Sequence, residues 1–234
     1  MKSLANRSSL VFYCFTPLVS LATFIIEVLL AVYVFIKYKT TLFSQLCIAL
    51  FLCLGIFQLS EYFICTSSQV NVWLKIGYVA ISLLPALGIH ITSIITKRDK
   101  TLAYSAYGLA GLFIFSVLFI PQIQLEATCE PHYVSISKHP MFGFLFGSYY
   151  AAYVLSAVYT LWRSMKARIG DRREEQWLII SYAVFVVPSI VLFYIKSIVL
   201  SALPSVMCGF AILTALIFVF FIIPRHYRNG PKKK

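Results

Sequence analysis

The amino-acid sequence predicts an all-α, polytopic membrane protein: a bundle of seven transmembrane helices, N-terminus outside and C-terminus in the cytoplasm. Three observations carry this expectation. The 234 residues are 60% hydrophobic and only 12% charged, where a soluble domain carries about 25% charged residues. The apolar residues fall in long runs, each near the roughly 20 residues that a helix needs to cross the hydrocarbon core. The basic residues collect on alternate connections between those runs. Strand-like alternation is absent, which argues against a lipid-exposed barrel.

The spans fall at about 10–36, 41–65, 72–96, 101–120, 141–165, 177–199 and 203–223. They leave almost no length for a soluble unit, so 1–234 reads as one domain. The apolar run of span one is too long for a cleavable signal peptide and no small-residue cleavage pattern follows it. Span one carries Glu27, which stands ten residues before Lys37 and so roughly 15 Å from that end of the helix. Span two places Gln58, Glu61 and Cys65 at i, i+3 and i+7. Span three holds Pro85 in mid-span, expected to free a carbonyl and kink the helix. Gly88 three residues on leaves room for a neighbouring helix. His90 sits roughly 10 Å from Lys97. Lys97, Arg98, Asp99 and Lys100 then stop the span and turn the chain tightly into span four.

The longest connection on the other side runs from Pro121 to Gly143 and holds Glu126, Cys129, Glu130, His132 and His139. It reads as a polar lid, since the spacing of its potential ligands matches no dense metal motif. Span five carries Tyr149, Tyr153, Ser156 and Thr160 at i, i+4, i+7 and i+11. Gly170 and Asp171, between spans five and six, read as a helix stop followed by a cap. Span five is expected to project beyond the membrane and span six to begin early. Span six carries Tyr182, Ser189 and Lys196 one heptad apart. Pro85, Pro188 and Pro204 are the expected bend points.

Orientation follows from the cations. Lys37, Lys39, Lys97, Arg98, Lys100, Arg163, Lys166, Arg168, Arg172, Arg173, Arg225, Arg228, Lys232, Lys233 and Lys234 lie on one side. Lys2, Arg7, Lys75, Lys138 and Lys196 lie on the other. The positive-inside rule puts the first group in the cytoplasm, which implies an odd number of spans in the plasma (inner) membrane. The net charge of +12 is then an anchor to anionic headgroups rather than a nucleic-acid surface.

Ionisable groups inside a span are expected to face the bundle and to find partners. Glu27 and His90 are candidates for such a pair, as a structural hydrogen bond or a proton-linked switch; the absence of direct contact is the third possibility. In the outer half, Glu61, Lys75, Tyr149, Tyr153, Ser189 and Lys196 are the candidate ligand-binding set, with Glu61 and Lys75 as an ion pair. The bland alternatives are headgroup snorkelling for Lys196 and packing or interface anchoring for the tyrosines. Together these stripes suggest an outward-facing cavity. Of the six cysteines, Cys65 and Cys129 both fall on the outer side, where a disulfide survives. Cys14, Cys47, Cys53 and Cys208 read as small apolar fillers. Retinal is not expected, because span seven has no lysine. No cofactor, metal or nucleophile–base set is predicted, so the chain is not expected to be an enzyme.

Three segments carry a family pattern: "WLKIGYVAISLLPALGIHITSII" in span three, "GSYYAAYVLSAVYTLW" in span five and "RREEQWLIISYAVFVVPSIV" leading into span six. From about Trp73 to the end of span seven the chain resembles the seven-transmembrane N-terminal sensor region of bacterial membrane histidine kinases. Arg173, Gln176 and Pro188 match its arginine–glutamine entry and proline in span six. Members of that family continue into a kinase or other signalling domain, whereas here only "RHYRNGPKKK" follows span seven. The resemblance therefore implies a receptor-like sensor of a small or lipidic ligand, acting through a separate partner protein and set among membrane lipids. The alternatives are a structural subunit of a larger membrane complex and a small transporter.

Overall fold

The computed structural model describes residues 17–38, 41–120, 123, 125–129, 134–137, 140–168, 170–196 and 210–229. The helices are α1 (Pro17–Lys37), α2 (Leu42–Thr66), α3 (Val70–Ile95), α4 (Thr101–Phe119), α5 (Pro140–Ala167) and α6 (Arg172–Lys196). A last helix, α7, has three parts: an α stretch (Ala211–Ile217), a π turn (Phe218–Ile222) and a second α stretch (Ile223–Asn229). Six helices among the described residues, α1 to α5 and α7, are long and apolar enough to cross a membrane. This is the architecture of a multi-pass membrane protein. The sequence expectation missed one element. Between α4 and α5, β1 (Glu126–Cys129) and β2 (Val134–Ser137) form an antiparallel hairpin in which Ala127 faces Ile136. Strands this short leave only a weak trace in sequence, and this pair is fixed by burial of Ile136.

The helices gather their ends into two poles. The hairpin pole holds the end of α2, the start of α3 and the β-hairpin. The basic pole holds the end of α1, the start of α2, the end of α3, the α5–α6 connection and the end of α7. In α3, 78% of the most apolar window is buried, against 22% in α4, so α3 forms the centre and α4 the rim. Apolar side chains on the rim, such as Leu29, Phe35, Leu112, Phe119 and Phe144, point outward, as lipid contact requires.

Helix α1 buries one stripe, Ser20, Thr23, Glu27, Ala31 and Val34, at spacings that keep one face of a helix toward its neighbour. Helices α2 and α3 approach closely at Gly77, where an added Cβ would stand 3.0 Å from the Ser60 Cβ. Small residues permit such approaches where no hydrophobic effect drives helices together. The start of α2 is fixed by a capping box: Thr41 accepts from the Ser44 N–H, and the Ser44 hydroxyl accepts from the Thr41 N–H.

Two helix ends use left-handed residues that are not glycine, Lys97 (φ 53°) and Arg168 (φ 54°). At Lys97 the Arg98 N–H reaches back to the Ser93 carbonyl at 3.0 Å, the long-range bond of a Schellman end. The sequence expectation placed the stop of α5 at Gly170. The left-handed residue is instead Arg168, and Gly170 makes a close approach. A Cβ there would lie 3.1 Å from the Ile95 carbonyl and 2.5 Å from a Glu175 carboxylate oxygen. Asp171 does cap α6, accepting from the Arg173 N–H at 3.0 Å.

A polar clasp and a bent core

The described members of the predicted outer-half set, Glu61, Lys75, Tyr149 and Tyr153, do not share one cavity among the described residues. Glu61 is buried, whereas Lys75 is exposed, and no ion pair joins them among the described residues. Helical geometry gives the reason. Gly77 faces Ser60 across the α2–α3 contact, and Lys75 stands about 200° around the helix from Gly77. Tyr149 is buried and donates to the Ser82 carbonyl at 2.9 Å, tying α5 to α3. The Tyr153 hydroxyl bonds Ser105 Oγ at 2.9 Å, tying α5 to α4. The tyrosine stripe thus stitches helices together. Ser189 and Lys196 lie on α6, but their side chains fall outside the described residues. Pro204, His132, His139, Cys14 and Cys208 fall outside them as well.

The α3 hydroxyls are also satisfied locally. Ser82 donates to the Tyr78 carbonyl at 2.7 Å, Thr92 to Gly88 at 2.9 Å, Ser93 to Ile89 at 2.9 Å and Thr96 to Thr92 at 2.8 Å. A hydroxyl bonded to the carbonyl four residues back needs no partner from another helix or a ligand. The stripe that suggested an open cavity is therefore compatible with tight packing.

Glu27 and His90 do not meet. Helix α2 separates their helices. Glu27 lies against Gly55 of α2, with a carboxylate oxygen 3.5 Å from where a Cβ would stand. His90 Nδ1 faces the Tyr107 hydroxyl of α4 at 3.3 Å. Glu27 is fully buried, and neither of its carboxylate oxygens has a hydrogen-bond partner among the described residues. Glu61 of α2, also buried, is the acid that interacts with it. At the hairpin pole Cys65 and Cys129 form a disulfide, with Cα atoms 5.5 Å apart, that fastens β1 to the end of α2.

Three helices that meet in the bundle centre carry a proline or a π turn. Pro85 lies inside α3 and Pro188 inside α6, each removing a donor from the helix ladder. The π turn of α7 begins at Phe218. A cavity of about 60 Å³ lies where these helices meet, lined by Pro85, Gly88, Tyr153, Tyr182, Phe185 and Phe218, among others. The Tyr182 hydroxyl occupies the space above Gly88, 2.8 Å from where a Cβ would stand. It also bonds Thr92 Oγ1 at 3.2 Å.

A clasp at the basic pole holds residues that the sequence reading did not single out. His226 of α7 bonds Glu174 of α6, Nδ1 to Oε1, at 2.7 Å, and its ring stacks on Phe43 of α2 with centroids 3.9 Å apart. The Tyr227 hydroxyl bonds Thr41 Oγ1 at 2.8 Å, and Arg225 stands 3.9 Å from Asp171. The Ser164 hydroxyl of α5 donates to Glu175. Glu175 precedes the apolar stretch that starts at Trp177. Burial pushes its carboxyl above the ordinary value, and the bond from Ser164 opposes that rise. A usable signal did exist. Two acids open α6, and a basic–aromatic triplet closes α7, at what an antiparallel pairing makes the same depth.

No family model matches the chain, and no curated protein matches it.

Proposed function

We propose that the chain is a receptor-like sensor module of the plasma membrane. It crosses the bilayer seven times, with the hairpin pole and N-terminus outside and the basic pole in the cytoplasm. It takes up a small or lipidic ligand from the outer side and signals through a separate partner protein at the basic pole. On this reading it belongs with the sensor regions that it resembles and has no chemistry of its own.

One observation carries the reading. The helices with an internal proline or a π turn, α3, α6 and α7, are also helices that reach the clasp. Ile95 of α3 packs on Gly170, α6 supplies Glu174 and Glu175, and α7 supplies His226. Helices bend at Pro and at π turns, and π turns are frequent at functional sites. A change of bend at the central cavity therefore has a direct route to the Glu174–His226 contact. At about 60 Å³ the cavity is far below the roughly 300 Å³ at which ligand pockets begin. A ligand would select a more open packing of α3, α6 and α7. The seventh span is supported by α6, which is 25 residues long and uncharged from Trp177 to Ile195.

The test places a photo-crosslinker at exposed Arg168 or Arg228 in cells. The expected result is one stoichiometric partner whose yield changes several-fold in Pro85→Ala. An equal yield in the variant, or no partner at all, refutes signalling through the bend. Glu27 favours a second reading, a small proton-coupled transporter, because intramembrane acids mark proton paths. Proton flux into vesicles that disappears in Glu27→Gln would establish that reading instead.

A further inference from the structure

The geometry points to a binding site for an anionic phospholipid at the basic pole, in a groove between α5, α6 and α7. The groove encloses about 910 Å³, within the range of small-molecule sites. It does not depend on the sensor reading and needs only that this pole meet a bilayer surface.

Its charge arises from how the first turns of α6 divide their side chains. The segment "RREEQ" holds two bases and two acids. Glu174 and Glu175 are buried, held by His226 and Ser164. Arg172, Arg173 and Gln176 are exposed and line the groove. Lys166 joins them from α5 and Arg225 from α7. Asp171, the remaining acid nearby, lies 3.9 Å from Arg225, which leaves Lys166, Arg172 and Arg173 to set the sign of the rim. Arginine offers a planar fork that matches phosphate oxygens.

The rest of the groove is apolar and aromatic. Trp177 stacks on Phe221 with centroids 4.0 Å apart, and Lys166 Nζ lies 5.5 Å from the ring centre of Trp162. Ile179 and Ile180 continue the floor along α6, away from the cations. A cationic rim, interfacial tryptophans and an apolar floor running into the span repeat the order of a lipid: phosphate, glycerol level and acyl chain. Free phosphate matches only the rim. An acidic peptide would leave the outward-facing floor without a partner.

The experiment uses the full chain in vesicles containing lipids with brominated acyl chains, which quench nearby tryptophan. Two of the three tryptophans line the groove, and Trp73→Phe removes the distant one. Brominated phosphatidylglycerol should quench at a several-fold lower mole fraction than brominated phosphatidylcholine. Lys166→Gln/Arg172→Gln/Arg173→Gln should erase that difference. Juxtamembrane cations are worth about fivefold each in attraction to anionic lipid, so the loss is large. These side chains are exposed, and circular dichroism checks the variant's fold. Wild type alone also decides: equal quenching by the two lipids overturns the site and leaves the face to an acidic protein. A preference that survives in the triple variant places the lipid elsewhere and also overturns it. Excess inorganic phosphate at matched ionic strength should not relieve the quenching; relief would assign the rim to free phosphate.

Discussion

The α1–α3 half and the α4–α7 half of the bundle are held together differently. In the first half the contacts are short and made by small residues. Gly77 meets Ser60 and Gly55 meets Phe24 and Glu27, with little room for a Cβ at either. The second half is held to α3 and to itself by long side chains ending in hydroxyls: Tyr149 to Ser82 and Tyr182 to Thr92 of α3, and Tyr153 to Ser105 of α4. Small-residue contacts leave backbones little freedom to move apart without losing packing. A tyrosine arm can swing and find another acceptor. The difference assigns rigidity to the α1–α2 contact and to the face of α3 that meets α2, and adaptability to the side of α3 that meets α5 and α6, where the central cavity lies.

Cutting the disulfide tests the rigid half hardest. Cys65 and Cys129 are 64 residues apart, and a loop of that size is worth about 4 kcal/mol in the chain-entropy description. Cys65→Ser should lower stability by that amount in equilibrium denaturation and speed hydrogen exchange across 126–137 but not at the clasp. Gly77→Leu comes next, at about 1–3 kcal/mol from overpacking against Ser60; an unchanged midpoint would show that α2 and α3 can part after all. Glu27→Met should act in the opposite direction. Removing a buried carboxyl without hydrogen-bond partners raises stability by about 1–2 kcal/mol, so a loss would reveal a partner for Glu27 that the rigid half depends on. Tyr149→Phe, in the adaptable half, should cost only about 1 kcal/mol, the worth of one hydrogen bond. A cost equal to that of Gly77→Leu would erase the distinction between the halves.

The smallest effect is at the clasp. The folded-state carboxyl of Glu175 is raised above its ordinary value of 4.5, first by burial. The folded state therefore holds this proton more tightly than the unfolded chain does. Its contribution is complete below pH 4.5 and is lost as pH rises through the folded value. The stability difference between wild type and Glu175→Gln should shift against wild type over that window, as followed by thermal unfolding at stepped pH. A pH-independent difference removes the burial effect.

Much of the fold was legible because lipid imposes a simple rule: a spanning segment must be apolar and must satisfy its backbone internally. The runs in α2, α3, α4 and α5 state this directly, and their edges agree with the helices to within a few residues. The candidate site was less legible. Polarity at helical spacing marks which residues share a face, and Glu27 does lie on the buried stripe of α1. Spacing does not say which helix that face meets. Glu27 and His90 have compatible depths on helices that α2 keeps apart, and Lys75 shares a level with Glu61 but points away from it. Nor does spacing reveal that a serine has spent its donor on its own helix, as Ser82 and Ser93 have.

Hydropathy and charge are properties of each segment alone, so a set of long apolar helices with cations crowded on alternate connections could be read directly from the residues. The inward turn of the α6 acids to His226 and Ser164, with its arginines outward, comes from contacts between helices. So does the meeting of Pro85 of α3 and the π turn of α7 at a cavity that α6 also lines. Both outcomes depend on which helix faces which, and that is fixed by packing between segments distant in the chain.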